Sequence, residues 1–321
     1  MENWITFTTV LISAIILFLF GIEHFSREIQ RVAGERFKRS LSKITNNKWS
    51  GAFLGFSTTA LAQSSTAITV ILVSLVNSGV IKFTQSLGII IGSNVGTTLT
   101  GQLIAFKLTA FAPIFIIAGF IVSLIGGKYK VIGKPLFYFG LVFFSLELIS
   151  DIVSPLSNDP NIIKIISYSS NVFIAVLAGA VLTLILQSSA VTTGLVIVFT
   201  ASGLISLDQG IPLLLGANIG TTATALIAAT MMNKEAKKTA LAHFLFNLLG
   251  VLIILPFLGP FTDLVSQFGQ TEANKLANAH TIFNVAIAII FLLALTPFRK
   301  LVEYLGDKLY KNNQKKRNRL P

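Results

Sequence analysis

Gln63-Ser64-Ser65, followed 29 residues later by Gly92-Ser93-Asn94-Val95-Gly96-Thr97-Thr98, returns as Gln187-Ser188-Ser189, followed at the same spacing by Gly216-Ala217-Asn218-Ile219-Gly220-Thr221-Thr222. The two copies are offset by 124 residues, and the register runs without a gap from about residue 17 to 105. Within it Glu23 meets Glu147, Ser78-Gly79 meets Ser202-Gly203, Gln85 meets Gln209 and Thr100 meets Thr224. Chance similarity between apolar segments would match Leu and Ile, whereas this register matches Gln, Ser, Asn, Gly and Thr. The chain is a duplication whose two halves carry the same polar clusters.

Those clusters sit in apolar surroundings. Of the 321 residues, 53% are apolar and 12% are charged, against about 25% charged in a soluble domain. The mean hydropathy is +0.77. An ordinary soluble enzyme and a disordered chain are excluded, since both need far more polar surface. With no cysteine, disulfides, thiolate zinc sites and iron–sulfur clusters are excluded, and three histidines leave little for a histidine metal site. The net charge is +12, and 21 of the 25 basic residues lie in the short stretches 23–49, 127–134, 233–238 and 298–321, between apolar runs. That is the positive-inside signature of a polytopic membrane protein. No fold is left over to dock a duplex, so nucleic acid is not an expected partner.

The first repeat is read as 1–124, with a helix at 4–22, an interfacial segment at 23–48, a hairpin at 51–81, a broken helix at 84–106 and a helix at 109–126. The second repeat is read as 125–258, with a helix at 134–152, a hairpin at 175–205, a broken helix at 208–231 and a helix at 239–258. Residues 259–321 supply a last transmembrane helix, 276–296, and a basic amphipathic cytoplasmic tail. The run 4–22 is 19 residues, about 28 Å as a helix. It follows Glu2 rather than a basic n-region and reads as a span, not a cleaved signal. A straight helix over 51–81 would be about 46 Å, too long for a ~30 Å core, so each polar cluster is read as the elbow of a re-entrant hairpin. The GSNVGTT and GANIGTT runs are read as breaks, because Gly, Asn and Thr weaken a helix and free its backbone groups.

Each half then crosses three times. Three is odd, so the second half is expected inverted. With the amino terminus outside, every basic stretch falls on the cytoplasmic side, and the outside loops 153–168 and 259–275 hold only Lys164 and Lys275. The expected fold class is an all-α polytopic membrane protein of two inverted-topology repeats, each with a re-entrant helical hairpin and a broken transmembrane helix, in a cytoplasmic membrane. This is the plan of secondary transporters. Two apolar stripes flank it: Ile22, Phe25, Ile29, Val32, Phe37, Leu41 and Ile44, and in the tail Phe298, Leu301, Val302, Leu305 and Leu309. They suit an interfacial position, docked on the bundle or against a second copy in a homodimer.

The clusters offer hydroxyls, amides and backbone groups, and no charge. A serine that begins the second half-helix of a hairpin turns free N–H groups and a positive dipole end into the site, which suits an oxyanion such as phosphate. Ser64, Ser65, Ser188, Ser189, Asn94 and Asn218 are the candidate anion ligands. A hard cation such as Na⁺ takes oxygen ligands, and Gln63, Gln187, Thr66, Thr97, Thr98, Thr221 and Thr222 are its candidates. No acid falls in any of the four clusters, which favours Na⁺ over protons as coupling ion; no other cofactor is expected. Glu23 and Glu147 are read as interfacial anchors to backbone or arginine, and His243 and His280, in AHFLFN and AHTIFN, as packing residues rather than relays. Small polar residues also serve helix packing in membranes, and that reading of the clusters stays open.

At these residues the chain resembles the sodium–phosphate cotransporter family, the bacterial relatives of the animal type II cotransporters. The marks are the duplicated Q-S-S, the G-[SA]-N-[IV]-G-T-T that follows each, and A-H-x-x-F-N. The resemblance runs from the first helix to about residue 296. It implies uptake of inorganic phosphate with Na⁺ through two inverted repeats, with the two QSS stretches as the transport site. The third serine frequent in the family is replaced by Thr66 and Ala190, and the soluble helical regulatory domain of many bacterial relatives is not expected here. A sulfate or dicarboxylate carrier keeps the fold and changes the substrate, and a passive channel stays open. An enzyme acting on lipid phosphates would need a general base or nucleophile beside the anion site, and the QSS clusters have none in local reach.

Overall fold

The computed structural model describes the backbone of residues 2–42, 47–106, 108–125, 127, 130–167 and 171–317; side chains of 2, 3, 32–42, 130, 165, 167 and 311–317 are outside the description. The described residues are helical, without strands. The first half contributes α1 (Glu2–Ser42), α2 (Lys48–Ala62), α3 (Ser65–Asn77), α4 (Phe83–Ala105) and α5 (Ala112–Ile125). Next come α6 (Lys130–Val153), α7 (Pro160–Ser167), α8 (Val172–Leu186), α9 (Ser189–Ala201), α10 (Leu207–Gly220) and α11 (Thr222–Ala229). The chain closes with α12 (Lys234–Ile254), α13 (Leu258–Ser266), α14 (Glu272–Leu293) and α15 (Leu295–Arg317). Among the described residues, seven helical stretches are long and apolar enough to cross a bilayer: Trp4–Arg31, Phe83–Ala105, Leu108–Ile125, Val131–Asn158, Leu207–Ala229, Lys234–Ser266 and Glu272–Leu293. The protein is a multi-pass membrane protein.

Glycine fixes how each half packs. Along α2 and α4, a Cβ on Gly55 would lie 2.1 Å from Ile89 O, one on Gly92 would lie 1.8 Å from Ala52 O, and one on Gly96 would lie 2.6 Å from Phe56 O. The second half repeats this at the expected offset: Gly179 against Leu213 O at 2.0 Å, Gly216 against Val176 O at 1.9 Å and Gly220 against Ala180 O at 2.4 Å. Bare backbones meet where water cannot supply a hydrophobic drive and close contact must hold the pair. Ala52 lies on Gly92 and Phe56 on Gly96, so α2 runs parallel to α4. Gln63 reaches Thr100, while Lys48 O lies near Gly88. α3 must therefore return from the elbow at Gln63 to the start of α4, which makes α2 and α3 a hairpin. At 15 and 13 residues its arms are about 22 and 20 Å long. α8 and α9 form the equivalent hairpin against α10 and α11.

The two hairpin units run in opposite directions. Asn274, at the start of α14, donates to Ala105 O at the end of α4 (3.1 Å). At the other end of α14, Leu292 O accepts from Lys48 Nζ at the start of α2 (2.6 Å). α4 is therefore antiparallel to α14. Near the start of α10, a Cβ on Gly210 would meet Leu276 at 3.2 Å, and Asn218 further along bonds His280, so α10 is parallel to α14. α4 and α10 are antiparallel.

Three expectations are corrected. The helix at 4–22 and the interfacial segment 23–48 are not separate up to Ser42, since α1 is one helix of 41 residues. Nothing between Ile22 and Arg31 breaks it, and Gly21 serves a close approach to Val142 (3.2 Å for a Cβ). Val32, Phe37, Leu41 and Ile44 of the expected stripe lie outside the described side chains. The run 84–106 is unbroken, as α4. The run 208–231 is interrupted only at Thr221, which keeps helical dihedrals (φ −56, ψ −30). The cause is the same in both: the polar side chains bond back to their own helix rather than freeing it, as with Asn94 to Ile90 O and Thr98 to Val95 O, both 2.8 Å. The helix expected at 109–126 is found as the stretch Leu108–Ile125, whose α5 packs on α6 through Gly119 and Gly133. Last, the 239–258 helix starts earlier and ends at Ile254, where Pro256 imposes a 3-10 turn. The tail stripe docks through buried Phe298 and Val302, while Leu301 and Leu309 are exposed.

Candidate functional site

At the first elbow Gln63 adopts a left-handed conformation (φ 52, ψ 28) and Ser64 is extended (φ −153, ψ 97). Ser64 Oγ accepts from Ala67 N at 3.2 Å, capping α3. At the second elbow Gln187 is left-handed (φ 56, ψ 18), and Ser188 Oγ accepts from Val191 N at 3.4 Å, capping α9. Such a backbone favours glycine, and holding another residue there is strained by roughly 1–2 kcal/mol. The glutamine side chain supplies the compensation. Gln63 Oε1 accepts from Thr100 Oγ1 at 2.9 Å and Gln187 Oε1 from Thr224 Oγ1 at 3.1 Å. The amides donate to Ala60 O and Leu184 O, three residues back. Each elbow is thus stitched to a threonine two residues beyond its own GxNxGTT run.

The elbows share one cavity of about 370 Å³, lined by Gln63, Ser64 and Ala67 from the first and Gln187, Ser188, Ala190 and Val191 from the second. A wall of α1 completes it: Leu19, Ile22, Glu23, Ser26, Arg27 and Gln30. The N-terminal ends of α3 and α9 face this space, each carrying about half a positive charge. Ser26 Oγ donates to Ala62 O (2.9 Å), the residue just before Gln63, and Gln30 Nε2 donates to Ser26 Oγ (3.0 Å). α1 is clipped to the first elbow at that point.

The cavity gathers only part of the residues singled out from the sequence. Gln63, Ser64, Gln187 and Ser188 line it. Ser65 and Ser189 are buried as the first residues of α3 and α9, and Thr66 follows on α3. Thr97, Thr98, Thr221 and Thr222 bond carbonyls of their own helices, to Ser93, Val95, Ala217 and Ile219. Asn94 does likewise, and Asn218 Oδ1 accepts from His280 Nε2 at 3.2 Å, away from the cavity. Sequence reading missed Thr100 and Thr224 as partners of the glutamines, although the repeat register pairs them. It also missed Ser26, Arg27 and Gln30, because the first helix was cut at residue 22 and the second half places Asp151 and Ser154 opposite Arg27 and Gln30.

A helical membrane protein with duplicated hairpins whose capped tips share a polar cavity defines the class. The chain belongs to the Na⁺/Pi-cotransporter family, which matches it twice, over residues 17–151 and 160–294. It is 33% identical over 256 residues to "Uncharacterized protein YqeW" of Bacillus subtilis, covering 79% of this chain and 83% of the relative. It is 32% identical over 262 residues to "Putative inorganic phosphate export protein YjbB" of Salmonella typhimurium, 80% of this chain but 48% of that protein, so it spans about half the length of that relative. A segment of 103 residues is 48% identical to human "Sodium-dependent phosphate transport protein 2C", 30% of this chain and 17% of that one. No solved structure matches the chain significantly.

Proposed function

We infer that the protein is a transporter of inorganic phosphate coupled to Na⁺, working by alternating access across a cytoplasmic membrane, with the amino terminus outside and the carboxyl terminus inside. The observation that carries this reading is the convergence of two capped helix N-termini on one cavity: Ser64, Ser188 and the free N–H groups behind them are donors, and a tetrahedral oxyanion is all acceptors. The antiparallel course of α4 and α10 supports inverted repeats, and rocking one hairpin unit against the other would open the cavity to either side. Gln63 and Gln187, with their threonine partners, supply neutral oxygens for Na⁺.

Direction follows the gradients rather than the fold. The name of the YjbB relative favours export and that of the human relative favours Na⁺-driven entry. Radiolabelled phosphate flux in proteoliposomes, with an inward, an outward and no Na⁺ gradient and with sulfate and succinate as competitors, tests the whole reading. Uptake should follow the Na⁺ gradient and resist both competitors. Flux indifferent to Na⁺ refutes the coupling, and a larger flux of sulfate or succinate refutes the substrate.

A further inference from the structure

We propose that Arg27 is a ligand of the transported anion and that Glu23 is its built-in competitor. The inference rests on the phosphate reading of the cavity and deepens it. Glu23 and Arg27 are the charged side chains among the residues that line the shared cavity, the other lining groups being neutral. They pair directly, Arg27 Nη2 to Glu23 Oε1 at 2.6 Å, with both side chains more than half exposed on the cavity side of α1. The clip from Ser26 to Ala62 O fixes this turn of α1 beside the first elbow, so Arg27 leaves the helix there with its tip held only by Glu23.

The charge balance says which function. Two helix N-termini together offer about one positive charge, and a phosphate dianion carries two negative ones. About one negative charge is left over, for the co-bound Na⁺ and the cavity's own cation to meet. The guanidinium matches it and presents a planar fork of donors to the oxyanion. While Glu23 holds Arg27, their charges cancel and only the two helix ends attract an anion, so its affinity is low. When phosphate enters between the elbows, Arg27 turns from the carboxylate to the anion. The pair therefore sets the anion affinity. A plain i,i+4 surface pair would instead stabilise α1 by a few tenths of a kcal/mol and nothing more.

The two readings differ in sign. In proteoliposomes containing the full chain, Arg27→Gln should raise the phosphate KM about tenfold or more. Glu23→Gln, which frees the guanidinium, should lower KM, and the double variant should behave like Arg27→Gln. Arg27→Lys, which keeps the charge and loses the fork, should fall between. Elution as a single species in detergent, with an unchanged melting temperature, controls for folding. Should Arg27→Gln misfold, Glu23→Gln and Arg27→Lys carry the test alone. Wild-type flux of phosphate with KM within twofold in all variants overturns this proposal while leaving the phosphate reading intact. Equal increases in KM for Glu23→Gln and Arg27→Gln overturn it too, since they mark a structural pair. A wild-type protein that moves no phosphate removes both.

Discussion

Replacing Gly92 with alanine places a methyl carbon 1.8 Å from Ala52 O, 2.5 Å from Ala52 C and 2.7 Å from Ala52 Cα. All three are backbone atoms of α2, so no rotamer can relieve the clash. An ordinary contact begins at 3.4 Å, so α2 must move away from α4 by about 1.6 Å at this crossing. Two bonds span the same interface: Thr59 Oγ1 to Ser93 Oγ at 2.6 Å and Thr100 Oγ1 to Gln63 Oε1 at 2.9 Å. A displacement of that size takes both beyond hydrogen-bonding distance. Overpacking costs about 1–3 kcal/mol, and losing two bonds adds about 1 kcal/mol each. Gly92→Ala should therefore destabilise by about 3–5 kcal/mol. It should also release Gln63 from its left-handed turn, abolishing phosphate flux even in the fraction that folds. Gly259→Ala is the control, since nothing lies within 4 Å of its Cβ and its φ is ordinary. The assay is thermal unfolding in detergent, followed by flux in proteoliposomes. Gly92→Ala melting within a degree of wild type, with Gly259→Ala alike, would refute the backbone-contact account of the hairpin.

Three further outcomes follow from the site. Ser64→Ala and Ser188→Ala each remove an N-cap and should each destabilise by about 1 kcal/mol in thermal unfolding, with phosphate flux reduced in both; an effect in one half alone would contradict the equivalence of the elbows. Gln63→Gly keeps a residue that tolerates φ 52 but deletes the oxygen bonded by Thr100, so it should stay folded and lose flux, whereas Gln63→Val should lose stability as well; folded, fully active Gln63→Gly would show that the side chain only serves the turn. Asp307 accepts hydrogen bonds from Lys234 and Lys238, at 2.9 Å each, which hold its carboxyl at about 2 against the usual 3.8. A lowered folded-state value means stabilisation that is complete above about pH 4 and lost as the pH falls through 2. The docking of α15 on α12, followed by the melting temperature, should thus be level from neutral pH to about 4 and fall below it, and an unchanged acid limb in Asp307→Asn would refute the assignment.

Much of this was legible in the chain. The elbows were, because a polar QSS cluster inside a run too long to cross as one helix demands a turn, and the duplication doubled the signal. The capping role of the first serine followed from residue type alone. The first GxNxGTT run was misread as a break, and the second is interrupted only at Thr221, because composition cannot say whether a glycine frees its own backbone or admits a neighbour's. The answer depends on Ala52 O and Val176 O lying 1.8 and 1.9 Å from where a Cβ on Gly92 or Gly216 would stand, and those atoms are 40 residues away in the chain.

The sequence by itself determined a duplicated, membrane-embedded helical chain with two serine-capped elbows, because repeat register, apolar length and capping are local properties written in residue order. Tertiary structure decided which of the polar residues meet. It turned the threonines and asparagines back onto their own helices or toward His280. It brought both elbows into one cavity and ran α1 unbroken past residue 22, so that Glu23 and Arg27 stand beside the first elbow. Such placements depend on helix direction and close packing between segments distant in the chain, which no local pattern encodes.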